Sequence, residues 1–355
     1  MVLPEGAPPL RVGIVGLVSS YSLLVADALR SVPGAQLIGT ACLGRDDAYI
    51  AASLELPWLH RFPKSRQAYA EFFDVPVHDD VEALYDSGVE AVVLGTEEYL
   101  RTRYAAAALA RGIHVFLPKP FAYSAADVAR LREAAANSSA TLFPGLPHRW
   151  TATYRRAAAL LTPEELGRPL LLRSAITHHL STGPWKSDPS MSAGPEFEMG
   201  FYCADALMML SGSPAVSVTG QAANLIHKGI DAFDFAKLQV RFQSGAIGSA
   251  DYYCGLHYPF RGQELEVVAR DGGLWLGPGA EGKPELRVYR RGGQQVEDPA
   301  PLGRNAELAH WASLCRRGDR QEAMAWFEEG CRTLAVLLAF RQACQSGATV
   351  EVQPL

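Results

Sequence analysis

Over the first 148 residues, apolar positions alternate between short continuous runs and helical spacing. Arg11 to Val15 is apolar, Gly16 follows, and an amphipathic stretch from about Ser20 to Val32 stops at Pro33-Gly34, which reads as strand, turn and helix. Leu37 to Cys42 is a second β-rich run. Ala91 to Gly95 is a third, and a helix over Glu98 to Arg111 follows it, with Gly112 at its stop. A strand at His114 to Leu117, a helix over Asp127 to Ala135 and a strand at Ala140 to Phe143 complete the alternation. Strands separated by helices require crossover connections, so residues 1–148 are predicted to form an α/β, doubly wound parallel sheet of the Rossmann type.

Beyond Trp150 the pattern changes. One helix, Ala152 to Leu161, precedes β-patterned segments at Leu170–His178, Val216–Leu225, Ala236–Phe242, Ala246–Tyr253, Glu264–Ala269 and Leu286–Arg290. Ser244-Gly245 and Gly272-Gly273 are predicted as hairpin turns. A helix over Glu196 to Leu210 interrupts the strands, and Ala306–Arg316 and Gln321–Cys344 are helical. Residues 149–355 are thus predicted to be an α+β domain with an open, largely antiparallel sheet. Its uncovered face is expected to be apolar and to make the protein a homo-oligomer.

Composition narrows the function classes. The 355 residues exceed what one core usually supports. A net charge of -5 without a basic stripe argues against nucleic acid as a partner, and no apolar stretch approaches the roughly 18 residues of a membrane span. Met1 to Arg11 holds Glu5 and three prolines, so a cytoplasmic location and a small-molecule partner are expected. Six scattered cysteines without a CxxC pair, and a His178-His179 pair without further ligands at metal spacing, signal no metal site.

A strand, a glycine turn and a helix N-terminus form an anion site, because unpaired N–H groups and the helix dipole converge there. The dinucleotide pattern would place glycines at 16, 18 and 21, where the chain has Gly16, Val18 and Tyr21, with Gly13 earlier in the strand. Ser19, Ser20 and Ser22 supply hydroxyls, yet a plain turn without a ligand fits this segment equally well. The second strand ends in Cys42-Leu43-Gly44 rather than in a ribose-reading acid. Arg45 would suit the 2'-phosphate of NADP, and Asp46 or Asp47 a 2'-hydroxyl or simply a helix start. Further on, Pro118-Lys119-Pro120 sets a lysine at the carboxyl end of an apolar strand, where doubly wound sheets bind ligands. Glu198, Tyr202 and Asp205 fall at i, i+4 and i+7 on an otherwise apolar helix, a stripe that reads either as a cleft or as a solvent face.

With these residues in place, the chain resembles the glucose-fructose oxidoreductase, inositol dehydrogenase and MocA (Gfo/Idh/MocA) family from Arg11 to Val352. The family's Glu-Lys-Pro signature corresponds to Pro118-Lys119-Pro120, its Thr-Pro-Asn turn to Thr96-Glu97-Glu98, and its glycine-rich stretch to Ala193-Gly194-Pro195. Gly200-Phe201-Tyr202-Cys203 is similar to the branch with a catalytic tyrosine. The resemblance implies an NAD- or NADP-dependent oxidoreductase acting on a sugar, cyclitol or other polyol. Lys119 and Tyr202 would be its catalytic pair and Glu198 their supporting acid. Gly13, Gly16, Val18, Ser19, Ser20, Arg45, Thr96, Glu98 and Lys119 are the candidate cofactor contacts, and Arg45 tilts the expectation toward NADP. His148, Arg149, Trp185, Lys186, Asp205 and one of His178 or His179 are the candidate substrate contacts. The competing reading is a non-catalytic sensor or regulatory protein of the same fold, favoured by the eroded glycine pattern.

Overall fold

The computed structural model describes residues 8–178, 183–254, 262–279, 284–303 and 305–355. They fall into two compact units. The first comprises the described residues within 1–145, 181–193 and 303–329, and the second those within 146–180, 194–302 and 330–355.

In the first unit the elements run β1 (Leu10–Val15), α1 (Ser20–Leu29), β2 (Ala35–Ala41), α2 (Asp47–Ser53), α3 (Arg66–Phe73), β3 (Val77–His78), α4 (Val81–Asp86), β4 (Ala91–Leu94), α5 (Glu98–Ala110), β5 (His114–Leu117), α6 (Ala125–Ala136) and β6 (Leu142–Pro144). The sheet order is β3-β2-β1-β4-β5-β6 and every pairing is parallel. Val12, Ile14, Val92, Val93, Val115 and Leu117 are fully enclosed, which is why these strands read as continuous apolar runs. Ser19, Asp46, Ser65, Asp80 and Ser124 each stand at a helix N-cap and accept a backbone N–H from the first turn. The order reverses between β1 and β4, so the carboxyl ends of β1, β2, β4 and β5 surround the switch point where such sheets bind ligands.

The second unit holds α7 (Ala152–Leu160), β7 (Pro169–His178), α8 (Pro195–Glu198), α9 (Gly200–Ser211), β8 (Ala215–Ala223), β9 (Phe235–Phe242), β10 (Ile247–Cys254), β11 (Gly262–Ala269), β12 (Gly272–Pro278), β13 (Pro284–Arg290) and β14 (Gly293–Glu297). After it, α10 (Ala306–Arg317) belongs to the first unit, α11 (Arg320–Ser346) follows, and β15 (Val350–Glu351) returns to the second sheet. That sheet has nine strands in the order β14-β13-β12-β11-β7-β10-β9-β8-β15, antiparallel except for the parallel β7–β10 pair.

Three expectations need correction. The helix predicted over Glu196 to Leu210 is two helices broken at Met199, just before the poor helix former Gly200. Gly272 and Gly273 are already in β12, and the reversal is made one step earlier by Arg270 and Asp271. The sheet face turned away from α9 is mixed rather than apolar throughout: the cross-strand pairs Arg173–Glu266, Lys237–Asp251 and Thr219–Gln239 stand on it beside the exposed Ile247 and Val268. Among the described residues no helix is long and apolar enough to cross a membrane.

Candidate functional site

In the first unit the predicted residues gather at the carboxyl edge of the parallel sheet. Gly16 has φ +94, and a Cβ there would stand 2.8 Å from the Thr96 backbone. Only glycine lets the β1–α1 and β4–α5 loops approach so closely. Gly13 is held by packing inside the sheet, where a Cβ would meet Val89 at 2.9 Å. Ser19 caps α1 and donates its N–H to the Gly95 carbonyl at 3.1 Å, while Ser20 opens the helix, half-exposed.

Val18 is buried, and its carbonyl accepts the indole N–H of Trp185 at 3.0 Å. Trp185 is only 1% exposed, so it belongs to the wall of the glycine turn. Lys186 lies over the Trp185 ring at 4.3 Å and meets the Glu98 carboxylate at 3.1 Å. The other Glu98 oxygen accepts from Ser192 Oγ at 3.1 Å and from the Ala193 N–H at 2.6 Å. Glu98 sits in the first turn of α5, where the helix dipole also favours its charge. Trp185 and Lys186, expected as substrate contacts, are thus engaged around the glycine turn, and Glu98 is engaged by Lys186.

Glu97 occupies the N-cap of α5 but makes no capping hydrogen bond. Its wholly buried carboxylate instead pairs with Arg45 at 2.7 Å and accepts from the Tyr49 hydroxyl at 3.2 Å, both through Oε1. Oε2 is buried without a donor among the described residues. Asp46 caps α2 through Oδ1 and Asp47 holds Arg66 through Oδ1, and both aspartates are exposed.

Lys119, just beyond β5, is 3% exposed. Its loop is clamped by Arg101, a guanidinium 1% exposed on α5 that donates to the carbonyls of Pro118 at 3.3 Å and Pro120 at 2.7 Å. Arg101 was missed from the sequence, although its signal is present. It shares one helical stripe with Ala105, Ala108 and Leu109, all buried, and a charge on such a stripe must have acceptors.

In the second unit, His148 lies flat on Tyr154, with centroids 4.4 Å apart and planes 2° from parallel, and its ring stands 5.0 Å from that of Tyr202. Arg149 grips Asp205 through Nε at 3.0 and 3.2 Å and through Nη2 at 2.9 Å, and Thr333 donates to the same carboxylate at 3.0 Å. Both members are buried, so the two residues expected to touch substrate are committed to each other. Thr333 carried no signal in the sequence. The Tyr202 carbonyl accepts from Gln263 at 3.3 Å, and Glu198 is half-buried at the end of α8. His178 ends β7, half-buried, and His179 lies outside the described residues.

A 3-2-1-4-5-6 parallel sheet with a glycine turn at its switch point defines a dinucleotide-binding fold, and a nine-stranded sheet builds the second unit. A model described as "oxidoreductase family, NAD-binding Rossmann fold" matches residues 10–146, and the GFO/IDH/MocA C-terminal domain model matches residues 154–275. The chain belongs to this family of oxidoreductases. An uncharacterized oxidoreductase of Schizosaccharomyces pombe is 26% identical over 264 residues, 73% of this chain and 63% of its own length. Inositol 2-dehydrogenase 2 of Saccharopolyspora erythraea is 26% identical over 304 residues, covering 81% of this chain and 84% of that one. The crystal structure of the WlbA dehydrogenase of Bordetella pertussis with NADH and UDP-GlcNAcA superposes with a TM-score of 0.78 at 22% identity, covering 98% and 99% of the two chains. This chain therefore spans under two thirds of the length of its first curated relative.

The residues present fit a dinucleotide. The buried Glu97 oxygen lacks a donor that a ligand hydroxyl would supply, and the N-terminus of α1 stands at the switch point. Val18, in the place of the second glycine, has its carbonyl tied to Trp185.

Proposed function

We propose that the protein is a nicotinamide-dependent dehydrogenase that exchanges hydride with a hydroxyl-bearing carbon of a sugar, cyclitol or related polyol. Bound nicotinamide supplies the hydride acceptor or donor. Gly16, Ser19, Ser20 and Thr96 would hold the dinucleotide at the switch point, with Trp185 and Lys186 walling the turn. Lys119 orients the substrate oxygen, and Tyr202 takes its proton and returns it in the reverse direction. Glu198 and His148 position the phenol, and His178 is a candidate contact to the substrate.

The observation that carries this reading is the buried Lys119 at the carboxyl end of β5, on a loop whose carbonyls are clamped by Arg101. A binding shell has no need to sink an ammonium group and fix its loop in this way. The relatives named as inositol dehydrogenases support the substrate class. Self-association through the face of the nine-stranded sheet turned away from α9, where Ile247 and Val268 are exposed, is part of the proposal, and light scattering tests it.

Thermal-shift titration with NAD⁺, NADH, NADP⁺ and NADPH is the first test of the enzyme reading. A nucleotide at one hundred times its Kd adds about 2.7 kcal/mol of stability. Nicotinamide absorbance with inositols and aldoses is the second. A shift with none of the four would turn the assignment to a non-catalytic sensor of the same fold.

A further inference from the structure

Dinucleotide folds choose between NAD and NADP at the end of the second strand, where an acid accepts the ribose 2'-hydroxyl or an arginine receives a 2'-phosphate. This chain has no acid there. It has Cys42, then Leu43 and Gly44 in left-handed conformation, then Arg45. Taken alone, Arg45 indicates NADP.

The geometry changes that reading. The Arg45 guanidinium is held at 2.7 Å by Glu97, rests 4.8 Å above the Tyr49 ring and reaches the Tyr99 hydroxyl at 3.5 Å. Burial works against the Arg45 charge, but Glu97 together with the Tyr49 and Tyr99 hydroxyls outweighs it, so the arginine stays charged and paired. Burial, and then the charge of Glu97, push the Tyr49 phenol up to about 12, which keeps it a donor to Glu97. The carboxylate comes from the loop after β4, where it forgoes capping α5, and keeps one buried oxygen without a donor.

We propose that Glu97 replaces the missing strand-2 acid: its free oxygen reads the adenosine ribose hydroxyl, and its charge cancels Arg45, so the protein selects NAD over NADP. The inference rests on the nucleotide-binding reading above. A 2'-phosphate approaching Arg45 would meet a fixed, desolvated carboxylate, and like charges so placed should cost at least about tenfold in affinity, or about 1.4 kcal/mol.

The test is isothermal calorimetry on the full chain with NAD⁺ and NADP⁺ for wild type, Glu97→Gln and Arg45→Gln. Wild type should bind NAD⁺ at least about tenfold more tightly than NADP⁺. Glu97→Gln should free Arg45 and move that ratio toward NADP⁺ by roughly tenfold or more. Arg45→Gln decides the matter even if Glu97→Gln fails to fold: it should leave the preference for NAD⁺ intact, whereas an arginine that reads phosphate would lose NADP⁺ affinity selectively. Equal wild-type affinities, or a ratio unmoved by Glu97→Gln, would overturn the inference while leaving the dehydrogenase reading intact. Binding of neither nucleotide would remove that reading instead.

Discussion

Arg149 holds Asp205 in a buried bidentate pair that Thr333 completes. Removing one member strands the other charge in the interior, at about 3 to 5 kcal/mol. Asp205→Ala should therefore lower the denaturation midpoint sharply, and Arg149→Met combined with Asp205→Leu should recover most of the loss. A double variant as unstable as the sum of the two singles would show that the pair acts through separate contacts.

Tyr202→Phe should lower kcat by roughly 10²- to 10⁴-fold with little change in nucleotide affinity if, as proposed, the phenol acts on the proton that travels with the hydride. Lys119→Met should do at least as much damage. Glu198→Gln should be milder, in keeping with a positioning role. Steady-state kinetics on an accepted polyol decide the order, and near-normal turnover by Tyr202→Phe beside a dead Glu198→Gln would make the carboxylate the base.

Arg101 touches no expected ligand, yet it fixes the two carbonyls that bracket Lys119. Arg101→Met should depress kcat more than it raises the KM for nucleotide, and Arg101→Lys should restore part of the loss through one of the two bonds. Equal effects of both variants on kcat and KM would point to general unfolding of the unit.

Two left-handed glycines separate space from backbone strain. Gly44 has φ +68 and open space around it, so Gly44→Ala should cost only the strain, about 1 kcal/mol. Gly16→Ala adds a collision with the Thr96 backbone and should both destabilise the chain further and abolish nucleotide-induced thermal shifts.

His114 accepts the Thr141 N–H through Nδ1 at 2.9 Å, so its proton sits on the other nitrogen. Burial, opposed by the smaller pull of Glu90, holds this imidazole below its ordinary pKa. The unfolded chain then binds the proton more readily than the folded one. The contribution of His114 is complete above the unfolded value of about 6.5 and is lost as pH falls toward the folded value. Stability measured from about pH 7.5 down to 5 should decline, and His114→Gln should flatten that slope.

The strands of the first unit were legible because burial on both faces writes itself as uninterrupted apolar runs. Of α2 only a helix start at Asp46 or Asp47 was anticipated, and the short helices α3 and α4 and the strand β3 were missed, since their apolar residues are few and their identity rests on single capping residues such as Ser65 and Asp80. For the candidate site, spacing alone carried the placement of Lys119 just beyond β5 and of Tyr202 on α9. The roles of Arg45, Arg149 and Asp205 were not, because their partners are remote in sequence: Glu97 lies 52 positions from Arg45 and Asp205 lies 56 from Arg149. Nothing in a linear pattern distinguishes an arginine awaiting a phosphate from one already paired.

The bond from the Trp185 indole to Val18 spans 167 positions. During synthesis the glycine turn and its sheet emerge long before the tryptophan and lysine that close around them. Until residues 183–193 arrive, Glu98 lacks its cation and Val18 its donor. A fragment ending near residue 148, the natural place to cut by sequence, would keep all six strands of the first sheet yet remain an unfinished container, and should expose its switch point to proteases that spare the full chain.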